Sequence, residues 1–411
     1  MKFFSKKSVV DTDSKKIEEI LSRSVSSVLP SREALATALS SGKRLRFYIG
    51  ADATGPSLHI GHATNFMVLE KMRRLGHEVI VLFGDFTAMI GDPSGKDSAR
   101  KQLSPKEVAD NIRSWKDQVS KIVSFSGSNP ARIERNSKWL GKLSFGDVID
   151  LSSQFTVQQM LERDMFDKRM KENKPIFLHE FMYPLMQGYD SVAMDVDVEI
   201  GGNDQTFNML AGRTLQKSIN GKNKFVIATT LLVNQKTGKK LMNKSEGGYI
   251  ALNDSPDEMF GKTMALPDEV ILSVYTDCTY LSNEEIEKER KFILGGGNPR
   301  DAKIRLAQAL VSIYHGDAAA ARAQESFVGA FSTGAMPSDA PEASVAADAL
   351  LVDVLLGAKL VSSKTDFRRL VSEGAIKDLK GQGAIKAFDA KVTSDMDLKI
   401  GKHRFLKISL K

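Results

Sequence analysis

The chain has 411 residues, of which 42% are hydrophobic and 27% charged, a balance that suits a globular protein of two or three domains. It has no long apolar run, which excludes a membrane-spanning helix, and one cysteine, Cys278, which excludes an intrachain disulfide framework and fits a reducing cytoplasm. The net charge is +7, and residues 358–411 hold 13 Lys or Arg against 6 Asp or Glu, so that segment carries the whole excess. A basic terminal module is a candidate nucleic-acid surface, with plain solubility charge as the simpler reading. The N-terminus lacks the sustained apolar segment and small-residue cleavage site of a secretion signal.

In chain order, residues 15–38 read as one or two helices broken at Pro30, with Ile17, Ile20, Leu21 and Val25 as the apolar stripe. Residues 46–62 then run from an apolar strand, Arg46-Phe47-Tyr48-Ile49, through the loop Gly50-Ala51-Asp52-Ala53-Thr54-Gly55-Pro56-Ser57 into Leu58-His59-Ile60-Gly61-His62. Apolar Phe66, Leu69 and Met72 continue as a helix that ends at Gly76. Two imidazoles therefore stand at a helix start, where free N–H groups favour phosphate and Gly61 permits close approach. The plainer reading is a strand–loop–helix with two surface histidines. The strand Glu78–Phe83 follows and leads into the loop 84–95, so strand, helix and strand form a parallel βαβ unit with both Gly-rich loops at the carboxyl ends of the strands. The loop does not have the spacing of a P-loop.

Ser104, Pro105 and Glu107 form a helix start with a capping box, and Val108, Ile112, Trp115 and Val119 mark one face. A short strand is expected within 131–140, and residues 145–172 are of mixed polarity. Tyr183, Gln187 and Asp190 would share one polar face of an otherwise apolar helix, and buried polar groups need partners. Residues 196–200 alternate as a strand before Gly201-Gly202-Asn203-Asp204-Gln205, and residues 224–233 read as another. Residues 255–330 are helical, with a cap signal at Ser282 and Glu285; residues 332–344 are rich in Ser, Ala, Gly and Pro and read as a linker. The end of the chain mixes helices with short strands from Asp397 to Leu410.

The first loop, Tyr48 to His62, resembles the HIGH signature of class I aminoacyl-tRNA synthetases in the tyrosine-specific form, and five later segments agree in order. The resemblance implies an α/β protein: a Rossmann-like parallel-sheet catalytic domain over 1–240 with an inserted helical segment at about 100–170, an α-helical anticodon-side domain over 241–331, a linker over 332–345 and a small α+β RNA-binding domain over 346–411. It implies that L-tyrosine and ATP form tyrosyl-adenylate, that tRNA(Tyr) receives the tyrosine, and that the chain is a cytoplasmic homodimer whose insertion supplies much of the interface. Magnesium would arrive with the ATP phosphates, without a tightly bound protein metal. The implied roles are as follows: His59, His62, Thr54 and Lys244 act at the phosphates; Gly50, Asp52, Gly61, Gly202 and Asp204 receive ATP; Asp92, Tyr183 and Gln187 surround the ammonium group, with Thr87 in the same pocket; Gln205 meets the carboxylate; Tyr48 and Asp190 hold the phenolic hydroxyl. Lys364, Arg368 and Arg369 would face RNA phosphates.

The sequence departs from the family pattern in two places. Ala53 stands where proline is usual, and the second signature, usually KMSKS, reads Leu241-Met242-Asn243-Lys244-Ser245, with Lys239 or Lys240 as candidates for the missing charge. A tryptophan or other class I ligase, or a catalytically inactive RNA-binding paralogue, are the rival readings. For Asp92 a turn carboxylate, and for Tyr48 and Asp190 a buried hydrogen bond without ligand, are the simpler ones.

Overall fold

A computed structural model of the chain describes residues 9–94, 103–234, 237–238, 240–242, 249–332, 340–381, 383–401 and 404–410. By contact density the chain divides into Met1–Asp254 with Lys262–Tyr314, and Ser255–Gly261 with His315–Lys411. Among the described residues no helix is long and apolar enough to cross a membrane.

The first unit is built on a six-stranded sheet. Its strands are β1 (Val25–Leu29), β2 (Arg46–Ala51), β3 (Glu78–Phe83), β4 (Arg132–Arg135), β5 (Val198–Gly202) and β6 (Phe225–Thr229), in the order β1-β6-β5-β2-β3-β4. All neighbours are parallel except the β1–β6 pair. β2 to β4 extend the sheet one way and β5 and β6 the other, so the order reverses at β2 and β5, where ligands bind in open α/β sheets. β3 and β5 are almost wholly buried, as strands covered on both faces must be.

Residues 25–29 correct the helical reading of the N-terminal arm. Ile17, Ile20 and Leu21 are the buried stripe of the helix Ser14–Ser22, but Val25–Leu29 is a strand on the exposed edge of β6. Pairing with an open sheet edge outweighs the helical spacing of one valine. The capping signals stand as read: Ser104 Oγ accepts from the Glu107 N–H at 3.3 Å while the Glu107 carboxylate accepts from the Ser104 N–H at 2.8 Å. Ser282 and Glu285 make the same reciprocal pair. Residues 145–171 resolve into three short helices, Phe145–Ser152, Val157–Leu161 and Asp164–Lys171.

The helices Leu178–Ala193 and Thr206–Asn220 cross closely. A Cβ on Gly188 would lie 2.9 Å from Leu215 and 3.1 Å from the backbone nitrogen of Gly212. The helix Ile271–Cys278 groups with the sheet, since the buried Arg23 guanidinium donates to the carbonyls of Thr276 and Thr279 at 2.8 Å each.

The second unit carries a five-stranded sheet of β7 (Glu342–Val345), β8 (Ile376–Asp378), β9 (Gly383–Ala384), β10 (Met396–Ile400) and β11 (Arg404–Leu410), in the order β7-β11-β10-β8-β9. β7 pairs parallel with β11, so this sheet begins inside the stretch that reads as a linker. Leu351, Leu355, Phe367, Leu370, Ile376, Leu398 and Ile400 form its core.

Candidate active site

The site residues converge on the carboxyl ends of β2, β3 and β5. His59 precedes the helix Ile60–Arg74, and the backbone N–H of His59 donates to Nδ1 of His62 at 3.2 Å. With Nδ1 accepting, a neutral His62 ring carries its proton on Nε2, which becomes a donor for an incoming oxygen. The two rings lie 3.7 Å apart, so they form one polar patch at the helix start. Gly61 is tight against this patch: a Cβ there would lie 3.1 Å from His59 Nδ1. Thr54 is exposed in the loop that precedes them in the chain, and Gly50 is exposed near the end of β2.

Asp52 closes β2 with both carboxylate oxygens engaged. It accepts from Thr87 Oγ1 at 2.7 Å and from the Tyr183 hydroxyl at 2.8 Å. This contact depends on Gly84, because a Cβ there would fall 2.0 Å from Asp52 Oδ1 and 2.3 Å from Thr87 Oγ1. Thr87 in turn accepts from Asn136 Nδ2 at 2.9 Å. The same amide donates to Asp190 Oδ2 at 3.2 Å, and Trp139 Nε1 donates to Asp190 Oδ1 at 2.7 Å. Asp190 is 3% exposed, and burial pushes its carboxyl well above the ordinary carboxylate range against those two donors. Tyr48 is fully buried with its hydroxyl 2.9 Å from Ser191 Oγ, and burial raises its phenol well above the ordinary range.

A second network holds Asp92. Its Oδ1 accepts from the Ser94 N–H at 2.9 Å and its Oδ2 from Gln205 Nε2 at 2.8 Å. Asn208 Nδ2 donates to Gln205 Oε1 at 3.0 Å, and Arg163 Nη2 donates to Ser94 Oγ at 2.7 Å. Arg163 lies over the rings of Phe207 and Phe166, with its guanidinium 4.8 and 5.4 Å from their centroids, and burial lowers its pKa to about 10. The loop reaches Asp92 through Gly91, whose φ of 88° suits glycine.

The structure therefore brings most of the expected residues together but with different partners. Tyr183 bonds to Asp52 rather than Asp92, and Gln187 Nε2 donates to Glu199 Oε1 at 3.0 Å. Asp204 pairs with Lys240, one of the two lysines considered for the altered signature, at 2.7 Å. Gly202 adjoins this carboxylate, since a Cβ there would lie 2.8 Å from Asp204 Oδ1. Lys239 and Lys244 lie outside the described residues. Sequence reading missed Asn136, Trp139, Arg163, Asn208 and Glu199 as members of the site. An unexplained tryptophan and asparagine beside a short strand were the available signal for the first two; nothing local marked the others.

In the second unit, Lys364, Arg368 and Arg369 are exposed on the helix Lys364–Ser372, while Phe367, Leu370 and Val371 are buried on its other side. Arg369 pairs with Asp366 at 2.8 Å and Glu373 at 3.0 Å, and Lys364 reaches Asp353 at 3.5 Å.

A largely parallel sheet whose order reverses at β2 and β5, with paired histidines at a helix start beside it, is the architecture of a Rossmann-type enzyme domain. The chain belongs to the class I tRNA synthetases of the tryptophan and tyrosine group, whose family model matches residues 40–332. It is 42% identical over 405 residues to a tyrosine–tRNA ligase of Carboxydothermus hydrogenoformans, covering 95% of this chain and 97% of the relative. It is 41% identical over 398 residues to the tyrosine–tRNA ligase of Thermotoga maritima, covering 95% and 96%. Among solved structures it resembles a C-terminally truncated mitochondrial tyrosyl-tRNA synthetase of Aspergillus nidulans, with a TM-score of 0.65 and 25% identity over 77% of this chain and 94% of that one.

Proposed function

We propose that this chain attaches L-tyrosine to tRNA(Tyr) at the expense of ATP, and that the two networks above are the amino-acid end of its site. The observation that carries this reading is the buried Asp190 carboxylate, held by Trp139 and Asn136 at the strand reversal beside Tyr48. A buried acid with fixed partners is costly to retain unless a ligand completes its hydrogen bonds, and an amino acid with a ring hydroxyl does so. At the other end Asp92, fixed through both oxygens, offers a negative charge to the ammonium group, and Gln205 reaches the carboxylate.

The tyrosine carboxylate attacks the α-phosphorus of ATP, pyrophosphate leaves, and the adenylate then passes tyrosine to the terminal ribose of the tRNA, releasing AMP. No side-chain nucleophile takes part. His59, His62, Thr54 and Lys244 stabilise charge on the phosphate oxygens, while Gly50, Asp52, Gly61, Gly202 and Asp204 shape the nucleotide side. Lys240 must release Asp204 for that carboxylate to meet the ribose. Magnesium comes with the nucleotide through its phosphates.

The chain works as a cytoplasmic homodimer. Phe145, Ile149 and Val157 of the inserted segment, with Leu178 just after it, are strongly exposed apolar residues, the pattern of a surface covered by a second copy. Lys364, Arg368 and Arg369 bind RNA phosphates. The test is amino-acid-dependent ATP–pyrophosphate exchange on purified protein. Exchange with tyrosine but not with tryptophan or phenylalanine is expected; exchange driven by tryptophan, or by none of the three, contradicts the reading.

A further inference from the structure

Behind the amino-acid end of the site lies an ion pair to which the reaction above assigns no role. Lys224 Nζ touches Glu199 Oε2, and the two side chains are 0% and 2% exposed. Tyr48 and Glu199 are register partners across β2 and β5, so they share one face of the sheet. Ser191 Oγ accepts from Lys224 Nζ at 2.9 Å and lies 2.9 Å from the Tyr48 hydroxyl. Gln187 Nε2 donates to the other carboxylate oxygen of Glu199 at 3.0 Å. The crossing helix makes room by glycine alone, since a Cβ on Gly212 would lie 2.5 Å from Lys224 Nζ and 2.9 Å from Ser191 Oγ.

Stability alone is a weak reason to keep such a pair, because removing two charges from water offsets most of their attraction, and apolar residues fill the same space as well. Its distinctive effect is on hydrogen-bond direction. A carboxylate offers only acceptors, so Gln187 must turn its NH2 group toward Glu199 and its carbonyl oxygen away. An ammonium group offers only donors, so that oxygen is the atom it needs. Gln187 lies one helical turn after Tyr183, whose hydroxyl reaches Asp52 in the site.

We propose that Glu199, held by Lys224, is a positioning residue that orients the Gln187 amide so that its Oε1 receives the α-ammonium group of the amino-acid substrate. This rests on the tyrosine-activating function proposed above. Glu199 touches no reacting atom. It acts through Gln187, and Lys224 acts through Glu199.

The test uses the full chain and three ligands, with calorimetric binding as the readout: tyrosine, tyramine, which keeps the ammonium, and 3-(4-hydroxyphenyl)propionate, which lacks it. A Glu199→Gln variant can present either end of its amide, so the direction at Gln187 is no longer fixed. It is expected to bind tyrosine and tyramine about tenfold more weakly and to leave the propionate within about twofold, the scale of one hydrogen bond to a charged group. Because Glu199→Gln leaves a buried lysine without its counter-charge, the neutral double variant Glu199→Gln/Lys224→Met and the separate Gln187→Met variant are measured beside it and should show the same ligand pattern. Equal weakening for all three ligands marks a general packing role and overturns the proposal, as does unchanged binding of the two amines. If the wild-type chain binds neither tyrosine nor tyramine, the tyrosine-activating function itself is wrong and the inference falls with it.

Discussion

The two candidate ligand surfaces handle charge in opposite ways. In the first, Asp92, Asp190, Glu199, Lys224 and Arg163 are each less than a tenth exposed, and each is bonded to residues distant in sequence. In the second, Lys364, Arg368 and Arg369 on the Lys364–Ser372 helix are exposed, and Arg369 is paired with residues three and four away. A buried charge held from several directions can present one geometry to one small ligand. Exposed local pairs are worth little and exchange readily, which suits a surface meeting many equivalent phosphates. Under the proposed function, selectivity for the amino acid belongs to the first unit, and the second supplies affinity for a polyanion.

The contrast can be broken most severely at Gly84. A Gly84→Ala substitution places a methyl group on the Asp52–Thr87 contact and is expected to lower tyrosine activation about a hundredfold, the scale of an ångström-sized displacement in a site, as read by pyrophosphate exchange. An unchanged rate would show that this network is dispensable.

His77 tests the first unit through pH from the opposite end of β3. It is fully buried, it accepts from the Leu45 N–H at 3.3 Å, and burial, with Arg44 nearby, lowers its pKa from 6.5 to about 4. The unfolded chain then binds the proton first, so stability is present above pH 6.5 and is lost as pH falls toward 4. The loss reaches about 3 kcal/mol for that separation of pKa values. Denaturant titrations at several pH values should show this slope in the wild type and a flatter one in His77→Gln.

The smallest effect is expected in the second unit. Replacing Lys364, Arg368 and Arg369 together by alanine should weaken tRNA binding about tenfold and flatten its salt dependence by about two units of slope, since each phosphate contact on a single strand contributes about 0.7. An unchanged salt slope would remove these residues from the RNA surface.

The elements and most of the pocket could be read from the sequence because their signals are local. The strand Glu78–Phe83, the cap at Ser104 and the polar face of Tyr183, Gln187 and Asp190 each lie within one or two turns or one strand. The partners of those polar residues could not be read that way. Asn136 and Trp139 meet Asp190 across 54 and 51 residues, and Gln205 meets Asp92 across 113. Only the sheet order brings them together, and hydrophobic periodicity carries no information about it. Helical spacing misplaces Val25–Leu29 for the same reason, because its partner β6 lies some 200 residues later in the chain.

The role of Asp190 is tested most directly by the ratio of kcat/KM for tyrosine to that for phenylalanine in pyrophosphate exchange, measured on the wild type and on Asp190→Asn. The wild type should show a strong preference for tyrosine. In the variant the preference should fall by about a hundredfold, mainly through lost activity with tyrosine, because an amide has one acceptor oxygen where the carboxyl has two, each held by a donor from Trp139 or Asn136. A ratio that survives the substitution unchanged would contradict the assignment of the buried Asp190 carboxylate to the substrate hydroxyl.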